Sequence, residues 1–479
     1  MMLSLVLLAV AVAPPKIACP ASPMGKLGCE AVVQLNRSPA ELKRWLAASL
    51  AAHVPADDRQ ELEKTLLEVA TTGGGVELVG ARAGHTPGVA VLTLQARRKP
   101  AQLLLVLRPD PSEPSKLGRL EVAPLQNPAL FADWPTTHLP DDALAARVQA
   151  QLRRLAAEQD FSGCVSVSSG KQTLVEACTG LAERTFAVPV TPETRFHIGS
   201  MDKMFTALAI AQLVEAHKLT YDDTLSRWIP EVAGPSTPPI TVWQLLHHQG
   251  GLGDLFVPEF FEHRERYVHP ADYLALIARQ PTVAAPGERF GYSNAGFVLL
   301  GRIVELASGE DYFAYLQRHV FGPAGMTATG FDAVDEVTPQ LAVGYLHDDP
   351  FGLGPWKANW MTLPFKGSPA GGGYATTGDL IRFSQALRAG KLLPAQALAK
   401  VFADAVPTGP DQRYAAGFEE RLIAGQTIRG HSGGAPGMNA ALEIDWASGS
   451  AVAVVSNEDG PAGELLAHHI ADLLAAPKP

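Results

Sequence analysis

Cysteine is scarce in this chain of 479 residues, which has only four. None falls in a Cys-x-x-Cys spacing or beside clustered histidines, so no metal site is expected and no cofactor is implied. Basic residues are outnumbered, with 39 Lys and Arg against 49 Asp and Glu and a net charge of -10. No Lys/Arg stripe is available to neutralise phosphates, which excludes a nucleic-acid binder. Low-complexity tracts are missing too. Beyond the N-terminus no apolar run is long enough to span a bilayer, which excludes stable membrane insertion. What remains is a globular composition, 47% hydrophobic and 18% charged. A chain of this length is too long for one ordinary core, so two or three domains are expected.

The one long apolar run covers residues 3–13, the length of a signal-peptide core, and Ala11-Val12-Ala13 offers a small-residue cleavage site. The segment before it has no positive charge, and a buried N-terminal strand is the other reading. Export to the periplasm or the extracellular space is the expectation, with residues 1–18 as the signal peptide. Lys16 breaks a lipoprotein-type cleavage pattern ahead of Cys19. The cysteines form two close pairs, Cys19/Cys29 and Cys164/Cys178. An exported chain could oxidise them, while buried thiols are the alternative.

Ser38-Pro39-Ala40-Glu41 is a capping box with proline at the first helical position. Leu42, Trp45, Leu46 and Leu50 follow at helical spacing. A second helix is expected over 57–69, ended by Gly73-Gly74-Gly75. Strand-like runs come next at 76–79, 89–94, 103–107 and 120–122. Two helices and a four-strand meander predict a small α+β domain over 24–124. Residues 125–140 are proline-rich and aperiodic, and read as a linker. The rest, 141–476, reads as one mixed domain. Asp141 or Asp142 can cap a helix carrying Leu144, Val148, Leu152 and Leu155. A hairpin, CVSVS then TLVEAC, puts Cys164 opposite Cys178 if Val165 faces Ala177 and Val167 faces Val175. A second hairpin pairs 440–444 with 451–455, and a closing helix spans 461–474. Strands from both ends of the domain would share one sheet around a largely helical middle.

Within that domain, residues 198–207 read IGSMDKMFTA. Ser200 and Lys203 share a face if they open a helix. The residues after Lys203 are apolar nearly all round, so the helix should be buried. A buried lysine is costly unless it is paired or deprotonated. Desolvation lowers its pKa, and an amine beside a hydroxyl is what a serine nucleophile needs. The spacing alone is weak, since Ser168 and Lys171 repeat it in a hairpin turn. Two other segments add to it. In PGERFGYSNAG, 286–296, Tyr292 and Asn294 sit where a helix opens. In RGHSGGAPGMNAALEID, 429–445, an extended run carries His431, Gly433 and Gly434, and glycine there allows close approach of a ligand to the backbone.

In this order, Ser-x-x-Lys, Tyr-x-Asn and His-x-Gly resemble the motif set of the serine β-lactamase-like superfamily, in the branch with class C β-lactamases, D-alanyl carboxypeptidases and esterases. FSGCVSVSSGK (161–171), RFHIGSMDKMFTALAIAQLVEAHKL (195–219), ITVWQLLHHQGGL (240–252) and SPAGGGYATTGDLIRF (368–383) extend the likeness over about 142–475. The resemblance implies a mixed α+β fold of β-lactamase/transpeptidase type, an antiparallel sheet flanked by helices plus a helical lobe. The preceding domain resembles the small cone-like α+β domains of some such hydrolases. It also implies Ser200 as acylated nucleophile, Lys203 and Tyr292 as the proton-handling pair, and Asn294 as orienting group. His431 and Gly433 would line the cleft, and the amides of Ser200 and Gly434 would form the oxyanion hole. Either Lys203 or Tyr292 could take the first proton. Two departures stand out. His431 replaces the lysine of class C β-lactamases, which puts recognition of a substrate carboxylate in doubt. His248-Gln249-Gly250-Gly251 replaces His-Thr-Ser-Gly, which reads as drift in a structural loop.

Phe256, Phe260, Phe261, Phe351, Trp356 and Trp360 lie in two stretches without family-like features. They are expected to pack a lobe interior, or else to line an acyl pocket. The expected activity is hydrolysis of an ester or amide in a small molecule or peptide, through an acyl-enzyme. The alternative is a binding protein on a disused hydrolase fold.

Overall fold

The computed structural model describes residues 17–476 apart from 53, 84–87, 99–100, 111, 126–129, 159–160, 234–237 and 350–353. The apolar run at 3–13 and Phe351 lie outside the described residues. These residues divide into two compact units: one up to residue 127 with 347–355, the other from 128 to 346 and from 356 onward.

The first unit has three helices where the sequence pattern suggested two. The additional one, α1 (Pro23–Leu35), starts with Ser22 accepting from the Gly25 amide and has proline at its first position. Its two glycines and Cys29 hide an otherwise helical spacing of Met24, Ala31 and Leu35, all buried. Cys29 is bonded to Cys19. Helix α2 (Pro39–Ser49) carries the expected capping box of Ser38 and Glu41, and α3 (Ala56–Thr72) follows. The strands β1 (Val76–Ala83), β2 (Ala90–Ala96), β3 (Gln102–Pro109) and β4 (Leu117–Leu125) form an antiparallel meander in chain order. Strands β1 and β3 run on past their last buried side chains, because backbone pairing continues there.

The second unit is built on an eight-stranded sheet. Its strands are β5 (Gly163–Ser169), β6 (Gln172–Thr179), β7 (Val406–Gly409), β8 (Gln412–Tyr414), β9 (Glu419–Ile423), β10 (Gln426–Ala435), β11 (Met438–Asp445) and β12 (Ser450–Ser456). The order is β7-β8-β9-β10-β11-β12-β5-β6, antiparallel throughout. The sheet therefore joins strands from both ends of the unit. In the first hairpin Val165 faces Ala177, Val167 faces Val175, and Cys164 is disulfide-bonded to Cys178.

Strand β12 reads SAVAVVS and is buried along its whole length because both faces of the sheet are covered. Val452 and Val454 pack with α4 (Asp141–Ala157) and the closing helix α8 (Ala462–Ala475). Ala451, Ala453 and Val455 point to the other side, into a larger core. That core holds α5 (Asp202–Glu215), α6 (Asn294–Ser308) and α7 (Thr377–Arg388). Part of the stretch read as linker is packed rather than free. Leu130, Phe131 and Trp134 join the α4/α8 core, and the Trp134 indole donates to the His469 carbonyl at 3.1 Å.

Every residue of α5 from Asp202 to Ala211 is buried. Phe205 anchors it edge-on to Phe321 and Phe383, with ring centroids 5.1 and 5.0 Å away. Truncating Phe205 to alanine is expected to destabilise the second unit by about 3–5 kcal/mol. Urea unfolding followed by tryptophan fluorescence measures it, and a loss under about 1 kcal/mol would show that the helix is not anchored there.

Candidate active site

Ser200 lies in a 3-10 turn, Gly199–Met201, that runs straight into α5. The hydroxyl is thus held just ahead of the α-helix rather than inside its first turn. Lys203 follows one turn along the same face and is completely buried. Its Nζ lies 3.1 Å from Ser200 Oγ and 2.9 Å from Asn294 Oδ1, and it donates to the Ala370 carbonyl. Burial lowers its pKa from 10.5 to about 7, while Asp202, Asp254 and Glu419 pull it upward.

Asn294 is free for this contact because its neighbour takes the capping role. Ser293 is the N-cap of α6, and its Oγ accepts from the Gly296 amide at 3.3 Å. The amide group of Asn294 faces Asp254 Oδ1 at 3.4 Å. A carboxylate only accepts, so this contact fixes the Asn294 NH₂ there and turns the carbonyl oxygen to Lys203.

Tyr292 precedes the cap, and its ring lies 4.8 Å from Lys203 Nζ. The residue is 43% exposed. Burial of its hydroxyl raises its pKa well above the ordinary phenol value, against the opposing pull of the nearby Ser200 side chain. Behind it lies His248, from the loop read as drift. Its ring packs at a tilt against Tyr292, with centroids 4.2 Å apart, and its Nδ1 accepts from the Ser293 amide at 3.0 Å. The loop therefore holds the Tyr-x-Asn turn in place.

His431, Gly433 and Gly434 lie on β10, which packs along the Ser200 turn. A Cβ added to Gly433 would sit 3.2 Å from the Ser200 amide nitrogen, and one added to Gly199 would sit 2.9 Å from the Gly434 nitrogen. Glycine at both places lets the two backbones come close. The His431 side chain behaves differently. It is buried, its Nδ1 donates to the Ser432 carbonyl at 2.6 Å, and its Nε2 accepts from the Tyr414 hydroxyl at 3.0 Å. Burial lowers its pKa, so the imidazole is neutral and offers no free nitrogen to a ligand.

The sequence pattern missed several neighbours. Asp202, between Ser200 and Lys203, is fully buried, and burial pushes its carboxyl up to about 8 against the Gly373 amide hydrogen bond and the charge of Lys203. The Asp in Ser-Met-Asp-Lys was a visible signal, since a carboxylate has no place in an apolar helix without a partner. Tyr414, the Ala370 carbonyl and Glu419 come from distant segments and left no local sign. The aromatic stretches divide. Phe260 is buried and Trp356 stacks under Arg184 at 3.8 Å, whereas Phe256 and Trp360 are 44% and 61% exposed and Phe261 is half-exposed. Among the described residues, His269, Glu305 and Asp311 alone bring three possible metal ligands within 4.8 Å of one another. Glu305 is already paired with Arg302 at 2.8 Å. It also lies three turns along α6 from Asn294, about 16 Å away.

A family model described as Beta-lactamase matches residues 148–476. The protein PbpX of Bacillus subtilis (strain 168) is 30% identical over 302 residues, covering 63% of this chain and 71% of PbpX. Esterase EstB of Burkholderia gladioli is 32% identical over 230 residues, covering 45% of this chain and 58% of its own length. Among solved structures, the penicillin-binding protein of Bacillus halodurans superimposes with a TM-score of 0.60 at 31% identity, covering 67% of this chain and 96% of that one. The D-amino acid amidase of Ochrobactrum anthropi SV3 superimposes with a TM-score of 0.59 over 69% of this chain and 97% of its own, at an identity of 22% that speaks for the fold alone. The chain belongs to the beta-lactamase family, as a β-lactamase-fold hydrolase related to penicillin-binding proteins and esterases.

Proposed function

We propose that the protein is an exported serine hydrolase that cleaves an uncharged ester or amide through an acyl-enzyme on Ser200. The observation that carries this reading is the set of contacts around Lys203. A neutral amine has two N–H groups and one lone pair. The Ala370 carbonyl and Asn294 Oδ1 only accept, so they take the two N–H groups. The lone pair is left facing the Ser200 hydroxyl, 3.1 Å away. In the proposed first step Lys203 takes the Oγ proton as Oγ bonds to the substrate carbonyl carbon. The amides of Ser200 and Gly434 receive the oxyanion. Tyr292 stays neutral near pH 7, because burial raises its phenol. It is thus a proton relay rather than the first base, passing a proton to the leaving group as the carbonyl re-forms. A water then attacks the acyl ester, losing its proton to the same amine and phenol pair, which returns it to Ser200 Oγ as the C–Oγ bond breaks and the acid leaves.

The charges favour a neutral substrate. Besides Asp202, the charged groups acting on Lys203 are the carboxylates Asp254 and Glu419. With His431 neutral, a substrate carboxylate would meet like charge and no fixed cation. The exposed rings of Phe256 and Trp360 suit an apolar acyl or leaving group. The two disulfides fit an oxidising compartment and so support export.

A fluorophosphonate probe is expected to label Ser200, and Ser200→Ala to abolish labelling. An intact wild-type protein that takes no label would favour the disused-fold alternative. Lys203→Ala and Tyr292→Phe are each expected to lower turnover about 10²-fold or more, the usual size of general acid–base losses. Wild-type rates in both variants would overturn the assignment. With a neutral ester, kcat/KM should rise with pH through about 7 and then level off, because protonating Lys203 removes its lone pair. A profile flat from pH 5 to 9 would rule out Lys203 as the base. A neutral p-nitrophenyl ester should exceed a chromogenic cephalosporin or a D-Ala-terminated peptide in kcat/KM by about tenfold or more, the ratio that about 1.4 kcal/mol of repulsion produces. The reverse order would sink the argument from charge.

A further inference from the structure

Asp202 has no part in the proton transfers just described, yet it is fully buried between Ser200 and Lys203 in the chain. Its Oδ2 accepts from the Gly373 amide at 2.6 Å, and its Oδ1 has no hydrogen-bond partner. A buried carboxyl with one unpaired oxygen is a poor stabiliser, which calls for another explanation. Gly373 closes the turn 368–373, which also supplies the Ala370 carbonyl to Lys203. Between these two points lie Gly371 and Gly372, with φ of 153° and 100°. Such backbone has little conformational preference of its own, so its shape depends on what holds it: Gly372 donates to the Gly199 carbonyl at 3.3 Å and its carbonyl accepts from His197 Nδ1 at 3.1 Å, and further bonds hold the turn at either end. At the near end, Ser368 and Gly371 exchange backbone hydrogen bonds of 2.8 and 3.0 Å, and Thr206 Oγ1 donates to the Pro369 carbonyl at 2.7 Å. At the far end, Ile198 donates to the Gly373 carbonyl at 2.9 Å, and Asp202 takes the amide of the same residue. A Cβ on Gly373 would lie 2.8 Å from Asp202 Oδ1, so glycine there leaves the carboxyl its place.

We propose that Asp202 is a positioning residue: by holding the Gly373 amide it sets the 368–373 turn so that the Ala370 carbonyl takes one N–H of Lys203 and the lone pair is left to Ser200. The inference rests on Ser200 and Lys203 being nucleophile and base. The titratable groups around Asp202 are Lys203 on its own helix and the Tyr312 phenol, which burial and the nearby carboxyl push upward. Neither offers a competing acceptor for the Gly373 amide.

Three variants of the full chain test this. Asp202→Asn keeps an acceptor oxygen of the same length. Asp202→Leu keeps most of the volume without the acceptor, so it guards against simple collapse of the site. Asp202→Ala removes both. On p-nitrophenyl acetate, D202N is expected to stay within about threefold of wild type. D202L and D202A should lose about 30- to 100-fold in kcat with little change in KM, as misplacing a reacting group does. Their acid limb should move to lower pH, because the protonated amine loses an oxygen partner. Fluorophosphonate labelling of Ser200 should slow in parallel. Wild-type kcat and pH profile in D202L or D202A, even with a lower melting temperature, would reduce Asp202 to a structural group and overturn the proposal. So would a loss in D202N as large as in D202L, which would make the effect one of charge. Should D202L and D202A fail to fold, amide exchange at 371–373 decides the matter, being expected to match wild type in D202N; faster exchange there with unchanged turnover overturns it. Absence of labelling in the wild type would instead defeat the reading of Ser200 itself.

Discussion

The site depends on one amine buried where an amine should not be. Lys203 lies on a helix that is apolar nearly all round, and the lysine has none of its surface open to solvent. Removing an ammonium from water costs several kcal/mol even after relaxation. The cost is limited in two ways: the group shifts towards its neutral form, and it gains oxygen neighbours from three separate segments. The arrangement around it follows from that need. Ser293 caps α6 so that Asn294 need not. The glycine turn bends back so that a carbonyl reaches the amine. The 3-10 turn sets Ser200 beside it, ahead of the helix proper. Remove any one partner and the amine loses either its orientation or its tolerance of burial.

The sheet supplies the second requirement, a wall that does not yield. Covered on one face by α4 and α8 and on the other by the α5 core, its inner strands are buried along both faces. Strand β10 runs against the Ser200 turn at van der Waals distance, with glycine on both sides of the contact. On the proposed reading, amides held this way need no rearrangement when charge develops on a bound carbonyl, which is where preorganised dipoles have their effect. A flexible loop carrying the same two amides would have to be ordered first.

How much of this was written in the sequence depends on the range of the cause. The hairpin of β5 and β6, down to the register that pairs Cys164 with Cys178, follows from local alternation and a tight turn. So do the capping box of α2 and the apolar character of α5. Helix α1 escaped notice because glycine and cysteine diluted its period, although Ser22-Pro23 marked its start. The packed residues 130–134 were masked by the prolines around them. Ser200, Lys203, Tyr292 and Asn294 were legible because their residue types and spacings carry chemistry on their own. The Ala370 carbonyl and Tyr414 were not, since a backbone oxygen has no sequence signature and a tyrosine 122 residues beyond Tyr292 acts only through tertiary packing. The loop at 248–251 was readable as structural, but not what it holds, for the same reason: the partner of His248 is the Ser293 amide, 45 positions away.

The electrostatic character of the cleft joins these threads. Beneath Tyr292 lies a layer of neutral rings, His248, Tyr414 and His431, held neutral by burial. A fixed cation in that layer would drive the lysine further toward its neutral form and would attract an anionic substrate. The chain has instead Asp254 and Glu419 acting on Lys203, and both raise its pKa. They offset the effect of burial and keep the amine titrating near neutrality, where a base transfers protons best in both directions. The same pair would, on the proposed reading, repel a substrate carboxylate. On the proposed reading, tuning of the base and choice of substrate are therefore one property. A variant that traded His431 for a cation would have to find another way to hold Lys203 near pH 7.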